Sequence, residues 1–303
     1  MMGKKILLVV AGPTGIGKTD LAIRLANHYQ TEILSADSRQ FFREMRIGTA
    51  VPSEEQLRAA PHHFIQHKSI HDPYSVGDFE RDALERLTIL FKTHDLVILA
   101  GGSGLYIDAV LYGFDAFPKI DPSFRDQLNR DLQEKGLPFM QNELRMADPA
   151  YAQKVDLQNP QRVIRALEIY RATGKPYSGF LGRRKTERPF QSIILGLEAP
   201  REVIYRRVED RVDEMIRAGL LEEARGLISH QHLNALQTVG YREMFDYFNG
   251  TYDLKQAVLE IKKNSRRYAK RQGTWFRRNQ EVIPIPYDAP LKDILELINR
   301  KSK

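Results

Sequence analysis

The sequence predicts an α/β fold: a P-loop-type parallel sheet flanked by helices, with an inserted all-helical domain. The first observation is the run GPTGIGKT at Gly12–Thr19, which directly follows the apolar run Ile6–Ala11. The second is the alternation of strand-like and helix-like patterns over the first 115 residues, which is typical of parallel sheets with crossover helices. The third is a polar, helix-forming stretch from about Lys119 to Arg188 without a convincing strand.

The run Gly12–Thr19, called the phosphate loop below, matches the complete pattern G-x-x-x-x-G-K-[ST]. Its glycines allow several backbone amides to turn toward one anion, and the following helix adds the positive end of its dipole. Apolar residues at positions 21, 22, 25 and 26 have the helical spacing that this requires. We therefore expect a diphosphate to be bound by the residues Gly12, Pro13, Thr14, Gly15, Ile16, Gly17, Lys18 and Thr19.

Composition narrows the class of protein. The chain has 303 residues, 42% of them hydrophobic, which is enough for one large domain and a smaller one. We expect a core domain at residues 1–118 and 189–303 and an inserted domain at residues 119–188. Because there is no cysteine, disulfides and cysteine-ligated zinc are excluded, and a cytoplasmic location is expected. No apolar stretch approaches the length of a membrane span, so we expect no membrane contact, and we expect a monomer.

The net charge of +7 is concentrated in one segment. Lys262–Arg278 contains eight lysines and arginines and no acid, so the rest of the chain would carry −1. On a helix, six of these cations form two adjacent stripes, and an apolar face that includes Ile261, Tyr268 and Trp275 would pack on the core. Unneutralised cations in this density favour a nucleic-acid partner, although a solvated surface helix without a partner is the alternative. Candidate contacts on one stripe are Lys263, Arg267 and Arg271.

Asp37 is the candidate for acid–base chemistry. It follows the second strand-like run, Glu32–Ala36, whereas the third run, Leu96–Ala100, ends in Gly101-Gly102 and lacks the acid of an ATP hydrolase. Carboxyl ends of parallel strands share one edge of the sheet, so Asp37 should lie near the phosphate loop. There it can hold Mg²⁺, cap a turn or accept a proton. Either a kinase or a transferase that expels diphosphate fits this arrangement.

Two further features have structural alternatives. A helix with Asn159 as its cap and Gly174 as its end places Arg162 and Arg165 off the apolar stripe, but Arg165 could simply pair with Glu168. Four histidines form the second feature, and turn-forming residues around them favour a surface loop over a metal site. They are His62, His63, His67 and His71.

Six motifs occur in register over nearly the whole chain. They are GPTGIGKT, ADSRQFFREMRIGTAVP (36–52), AGGSGLY (100–106), NPQRVIRALEIYRATGKP (159–176), VGYREMF (239–245) and RQGTWFR (271–277). Together they resemble the motifs of the tRNA dimethylallyltransferases. The resemblance implies transfer of a dimethylallyl group from its diphosphate to the exocyclic N6 amine of an adenosine next to the anticodon in tRNA.

The resemblance also implies the catalytic roles. The phosphate loop would bind dimethylallyl diphosphate, while Lys18 and a Mg²⁺ ion on the Thr19 hydroxyl would stabilise the departing diphosphate. Asp37 would take the proton that the substituted amine must lose. The hydroxyl of Ser103, where family members more often have threonine, would form a hydrogen bond near the reacting amine.

The tRNA contacts that the resemblance implies fall in two segments. One touches the extruded adenosine and its neighbours, and the other grips the anticodon arm, since a base must leave its stack to reach a buried pocket. This sequence departs from the family at Val51, where lysine is usual, and at Phe42, where tyrosine is commoner. The alternatives are a P-loop small-molecule or nucleoside kinase that uses ATP and a non-enzymatic RNA-binding module. The two segments are Asp37, Ser38, Arg39 and Gln40, and then Gln161, Arg162, Val163, Ile164 and Arg165.

Overall fold

A parallel sheet of six strands forms the centre of the structure, a computed structural model that describes residues 5–115, 117–182 and 186–302. Contacts between Cα atoms group the chain into two units. The sheet unit comprises Met1–Tyr112 and Glu187–Lys303, and the helical unit comprises Gly113–Thr186. The predicted fold class, a parallel α/β sheet flanked by helices, is confirmed.

The strand order places the phosphate loop at the middle of the sheet. The strands are β1 (Ile6–Ala11), β2 (Ile33–Ser35), β3 (His62–His63), β4 (Leu96–Gly101), β5 (Gln191–Glu198) and β6 (Val282–Pro286), in the order β3-β2-β4-β1-β5-β6. Val9 in β1 pairs with Leu99 of β4 on one side and with Ile194 of β5 on the other. Because every pair is parallel, the carboxyl ends of β1, β2 and β4 lie at the same edge.

Twelve α-helices occur in the described residues. They are α1 (Lys18–Tyr29), α2 (Glu54–Ala59), α3 (Val76–Leu90), α4 (Gly104–Tyr112), α5 (Pro122–Ala147), α6 (Pro149–Ala152), α7 (Pro160–Thr173), α8 (Arg201–Arg217), α9 (Leu220–Leu227), α10 (Tyr241–Phe248), α11 (Leu254–Arg278) and α12 (Leu291–Ser302). Short 3₁₀ turns are at Tyr177–Phe180, Ile228–His230 and Asn234–Leu236.

The sheet unit has a hydrophobic core on each face of the sheet. β1 is buried along its whole length, and its side chains alternate: Leu7 and Val9 belong to one core, and Leu8 and Val10 to the other. Residues of α3, α4, α9, α10 and α11 complete the first core, whereas α1 and α12 complete the second. Burial on both faces explains why β1 reads as an unbroken apolar run instead of an alternating one.

The helical unit contains α5, α6 and α7, and its described residues include no strand. As predicted, α7 has Asn159 as its N-cap, whose side chain accepts a hydrogen bond from the Arg162 amide, and Gly174 as its left-handed C-cap. Helix α5 is interrupted at Gly136, where φ is 77°. Packing of α5 against α7 forms the core of this unit, with Val163 and Ile164 fully buried in it.

Helix α11 is the predicted basic helix, but the expectation that its cations are unneutralised is partly wrong. Trp275 packs against Gly104 of α4, although 39% of its surface stays exposed. Three of the eight cations are neutralised: Lys262 pairs with Asp213 and Arg266 with Glu209, both on α8, and Lys263 pairs with Glu260 on α11 itself. In the described chain, the remaining five cations, all exposed, have no ion pair. They are Arg267, Lys270, Arg271, Arg277 and Arg278.

Candidate active site

The phosphate loop has the backbone geometry that an anion-binding turn needs. Gly12, Gly15 and Gly17 have φ values of 149°, 78° and 103°, in the region that favours glycine. Helix α1 begins directly after Gly17, and no side chain caps its N-terminus. Its first amides can therefore donate to a bound phosphate, which would also meet the positive end of the helix dipole.

Lys18 is held over this loop. Its ammonium group donates a hydrogen bond of 2.8 Å to the carbonyl oxygen of Pro13. Burial lowers the pKa of Lys18 to about 8, against the attraction of nearby Asp37, and the positive charge of Arg211 lowers it further. A diphosphate beside Lys18 would favour the charged form, so ligand binding and protonation are coupled here.

Two arginines of α8 contact the loop, and sequence reasoning missed both. Arg211 donates to the Thr14 hydroxyl at 2.9 Å and to the Thr49 carbonyl at 3.4 Å, and Arg207 donates to the Ile16 carbonyl at 3.2 Å. Burial lowers the pKa of the Arg211 guanidinium, and the negative charge of Asp37 acts in the opposite direction. The available signal was their spacing of four on the helix after β5, since β5 lies beside the loop-bearing strand β1.

Asp37 lies two residues after the end of β2 and lines two neighbouring pockets together with Thr14 and Arg211. The first pocket is also lined by Lys18, by further polar side chains and by Gly101. The second pocket has a mixed lining, in which polar side chains such as Arg39 and Tyr268 accompany a group of aliphatic ones. Its aliphatic lining is formed by Val208, Val212, Met215, Val239 and Ile261. Asp37 is thus placed where a charged ligand group and an apolar one would meet.

The turn between β4 and α4, formed by Gly102 and Ser103, meets the segment after Asp37. The Ser38 amide donates to the Ser103 hydroxyl at 3.1 Å, and that hydroxyl donates to the Ser38 hydroxyl at 3.2 Å. Tyr268 of α11 lines the second pocket. Burial raises the pKa of the Tyr268 phenol to about 12, and the negative charge of Asp37 raises it further. Phenol and serine hydroxyls therefore stay protonated beside the carboxylate at neutral pH and can donate hydrogen bonds.

Arg39 and Gln40 have partners within the protein. Arg39 donates to the carbonyls of Asn234 and Ala235, and Gln40 donates to those of Thr49 and Ala50. These bonds fix the course of the chain after Asp37. Any contact that the two side chains make with RNA would be additional to them.

The segment Arg46–Gly48 is anchored by Glu223 of α9, a second group that sequence reasoning missed. The carboxylate of Glu223 accepts hydrogen bonds from all three backbone amides at 2.8–3.1 Å and from the Tyr241 hydroxyl at 2.6 Å. This anchor holds the adjoining Thr49 carbonyl, which Arg211 and Gln40 both use.

The four histidines have separate environments. His62 contacts the Ala60 carbonyl, His63 pairs with Glu32, and His71 packs edge-on against His230. His67 lies among aromatic rings, neither of its ring nitrogens has a partner in the described chain, and burial lowers its pKa to about 4. Among the described residues there is no group of three or more His, Asp or Glu side chains that could hold a metal.

The helical unit corrects part of the predicted RNA contact. Val163 and Ile164 are fully buried among apolar side chains, so their side chains cannot face a ligand. Arg165 pairs with Glu168 at 2.7 Å, the structural alternative noted above. Gln161 and Arg162 are exposed. The side chains that can still make the predicted RNA contact are therefore these two and Arg165, through the donors that Glu168 does not use.

The phosphate loop before α1, an aspartate after the next strand and a glycine pair after β4 together define a group transferase of the P-loop α/β class. The sequence model of the IPP transferase family matches residues 40–279. The chain is 55% identical to the tRNA dimethylallyltransferase of Christiangramia forsetii over 97% of its length and 98% of that protein. It therefore belongs to the tRNA dimethylallyltransferase family.

Other relatives agree. The tRNA dimethylallyltransferase of Flavobacterium johnsoniae is 51% identical over 99% of each chain. The solved structure of the tRNA isopentenylpyrophosphate transferase of Bacillus halodurans superposes with a TM-score of 0.71 at 36% identity, covering 99% of this chain and 96% of that one. A eukaryotic dimethylallyltransferase acting on tRNA gives 0.76 at 25% identity, with 93% and 74% covered. No helix in the described residues is long and apolar enough to cross a membrane.

Proposed function

We propose that this protein transfers the dimethylallyl group of dimethylallyl diphosphate to N6 of an adenosine adjacent to the anticodon of tRNA, releasing diphosphate. One observation carries the proposal. Asp37 lies at the junction of a cationic pocket on the phosphate loop and a second pocket that contains a cluster of aliphatic side chains. A ligand with a diphosphate head and a short hydrocarbon tail matches this division, because each half meets its own chemistry.

The head of the donor would be bound by the phosphate loop with Lys18 and Arg211. Both cations lie on the polar pocket, and both gain a favourable partner when an anion arrives. Their charges oppose the negative charge that builds up on the leaving diphosphate, which stabilises the transition state more than the ground state. The tail would pack against the aliphatic side chains that α8 contributes to the second pocket, Val208 and Val212 among them.

Mg²⁺ fits the same pocket. The Thr19 hydroxyl lines this pocket as an oxygen ligand, and Mg²⁺ is usually held by one or two protein oxygens together with phosphates and water. When bound, the ion would neutralise charge on the departing diphosphate. The protein groups that position the donor remain Lys18, Arg211 and the amides of the loop.

The acceptor reaction needs a base, and Asp37 is placed to serve as one. The N6 nitrogen attacks C1 of the dimethylallyl group, the bond from C1 to the diphosphate oxygen breaks, and diphosphate leaves. The substituted nitrogen then loses one proton, which the Asp37 carboxylate accepts. Ser103 contacts Ser38, the residue after Asp37, and Tyr268 lines a pocket together with Asp37. The hydroxyls of Ser103 and Tyr268 would orient the adenine.

The tRNA would be bound by the exposed cations of α11 and by the helical unit. Arg267 and Arg271 are exposed and have no ion pair in the described chain, whereas Lys263 has only its neighbour Glu260. Gln161, Arg162 and Arg165 would hold the anticodon arm while the target base is extruded. We further propose that the enzyme acts as a monomer in the cytoplasm.

Transfer of label tests the proposal. Purified protein with Mg²⁺ and an unmodified tRNA transcript is mixed with labelled dimethylallyl diphosphate or with γ-labelled ATP. Label should reach the tRNA from the first donor, and a transcript with guanosine at the target adenosine should stay unlabelled. Transfer of phosphate from ATP, with none from the prenyl donor, would support the kinase alternative and overturn the proposal.

The role of Asp37 is tested separately. Asp37→Asn removes the base but keeps the size of the side chain, so we expect kcat to fall by about 10³-fold, within the range seen for general bases. The affinity for tRNA should change little in comparison. An equal loss in affinity and turnover would show that Asp37 binds RNA and does not act as the base.

A further inference from the structure

Gln272 of α11 joins the two halves of the candidate active site. Its side chain is buried, with 6% exposed. The amide oxygen accepts a hydrogen bond of 2.9 Å from the backbone amide of Thr14, and the amide nitrogen donates one of 2.9 Å to the carbonyl oxygen of Gly102. These partners lie 258 and 170 positions away in the sequence, one in the phosphate loop and one in the turn after β4.

Each partner continues directly into a group that the reaction uses. Thr14 receives a hydrogen bond on its hydroxyl from Arg211, so the orientation of Thr14 fixes a cation of the diphosphate pocket. Gly102 precedes Ser103, whose hydroxyl meets Ser38 beside Asp37. A single side chain therefore sets the spacing between the donor half and the acceptor half.

The fit around Gln272 is close and specific. A Cβ at Gly102 would lie 2.3 Å from the side-chain nitrogen of Gln272 and 3.3 Å from its Cδ atom, whereas the Gly12 carbonyl oxygen is at an ordinary 3.5 Å. The bridge needs one acceptor and one donor on the same planar group, which glutamine supplies and an ionised glutamate or a methionine does not. A simple packing role would not require this polarity.

We propose that Gln272 is a positioning residue of the transfer reaction: it holds the phosphate loop and the Gly102–Ser103 turn at the separation that brings C1 of the donor to the adenine N6. The inference rests on the proposed function and adds a residue that touches neither substrate. Reactions of this kind are sensitive to small displacements, and an error of about 1 Å can lower the rate about 100-fold.

Gln272→Met tests the bridge at nearly constant volume. We expect kcat of the folded enzyme to fall about 100-fold, with KM for both substrates within about threefold. The melting temperature should drop by a few degrees, because the Thr14 amide and the Gly102 carbonyl lose their partner. Gln256→Met, at an exposed glutamine of the same helix, is the matched control and should keep full activity. The inference is overturned if Gln272→Met keeps kcat within threefold, or if its only effect is a smaller folded fraction.

Gln272→Glu provides a readout that a structural role would not give. An ionised carboxylate still accepts from the Thr14 amide but repels the Gly102 carbonyl, whereas the protonated acid can donate to that carbonyl and restore the bridge. Burial raises the pKa of the introduced carboxyl from its ordinary value near 4.3. Activity relative to wild type should therefore rise as the pH is lowered from 8 to 6. A ratio that is constant with pH contradicts the bridge.

A double-mutant cycle tests the contact itself. Gly102→Ala should lower kcat because its methyl group displaces Gln272, yet it should cause no further loss when Gln272 is already alanine. Independent losses would mean that the two residues act separately. Exchange of the Thr14 amide hydrogen, measured without substrates, should quicken in Gln272→Met. If wild-type enzyme transfers no label, the proposed function fails, whereas unchanged amide exchange refutes the bridge whatever the activity.

Discussion

Gly101→Ala offers a sharp test of how the sheet positions Asp37. Gly101 ends β4, and a Cβ built on it would lie 2.4 Å from the carbonyl oxygen of Ala36 and 2.5 Å from its carbonyl carbon. Ordinary contacts of this type begin near 3.4 Å, so Ala36 must retreat by about 1 Å. Ala36 directly precedes Asp37, and the carboxylate would move with it.

The displacement sets the expected magnitude. A shift of about 1 Å in a reacting group can lower kcat about 100-fold, and overpacking of a buried backbone costs about 1–3 kcal/mol of stability. Steady-state transfer of label gives kcat and KM, and urea unfolding gives the free energy of unfolding. Binding of tRNA should change much less than turnover, because the exposed cations of α11 are untouched.

Gly226→Ala is the matched control. Gly226 lies in α9 with nothing within 4 Å of the added Cβ, so the substitution should leave kcat unchanged and stabilise the helix by about 0.5–1 kcal/mol. The reasoning is refuted if folded Gly101→Ala enzyme keeps kcat within threefold of wild type. A large loss of activity in Gly226→Ala would also refute it.

Three other predictions follow from buried groups. Lys18 is charged at a pH below its pKa of about 8, and at a higher pH it must gain a proton to bind an anion. The affinity for inorganic diphosphate should therefore fall as the pH rises through 8, and calorimetry should detect proton uptake on binding. Lys18→Arg should remove this pH dependence. His67 has a pKa of about 4 when folded and 6.5 when unfolded, so stability should fall by roughly 2 kcal/mol, after discounting for solvent screening, as pH drops from 6.5 to 4; His67→Phe should flatten this part of the urea-unfolding profile. Glu223→Ala leaves three amides and the Tyr241 hydroxyl without their acceptor and should lower the free energy of unfolding by about 3 kcal/mol, whereas a change below 1 kcal/mol would show that water replaces the carboxylate.

Local patterns in the sequence were enough for the sheet and the loop. The phosphate loop, β1 and α1 follow one another within 24 residues, so strand pattern, glycines and helical spacing can be read together. The ends of α7 were predicted because a cap and a left-handed glycine act through neighbouring backbone groups. The position of Asp37 near the phosphate loop was predicted because the carboxyl ends of parallel strands share one edge of the sheet.

Long-range contacts could not be read in this way. Arg211 and Gln272 meet the phosphate loop from positions almost 200 residues or more away, and an arginine or glutamine on a helix has no local mark of such a partner. The charge of α11 was overestimated for the same reason, because Glu209 and Asp213 lie on another helix. Helical spacing placed Trp275 on the apolar face of α11, but it could not show that neighbouring residues cover this side chain only in part.

The long reach of Gln272 and Arg211 has a consequence for biosynthesis. The glycine motif is complete at Thr19, but the groups that shape it arrive with α8 and α11, when most of the chain has left the ribosome. A nascent chain that already displays the whole motif therefore lacks a working pocket. We expect a diphosphate to stabilise the complete chain, in which all these groups are present, and not an N-terminal fragment that contains the motif alone.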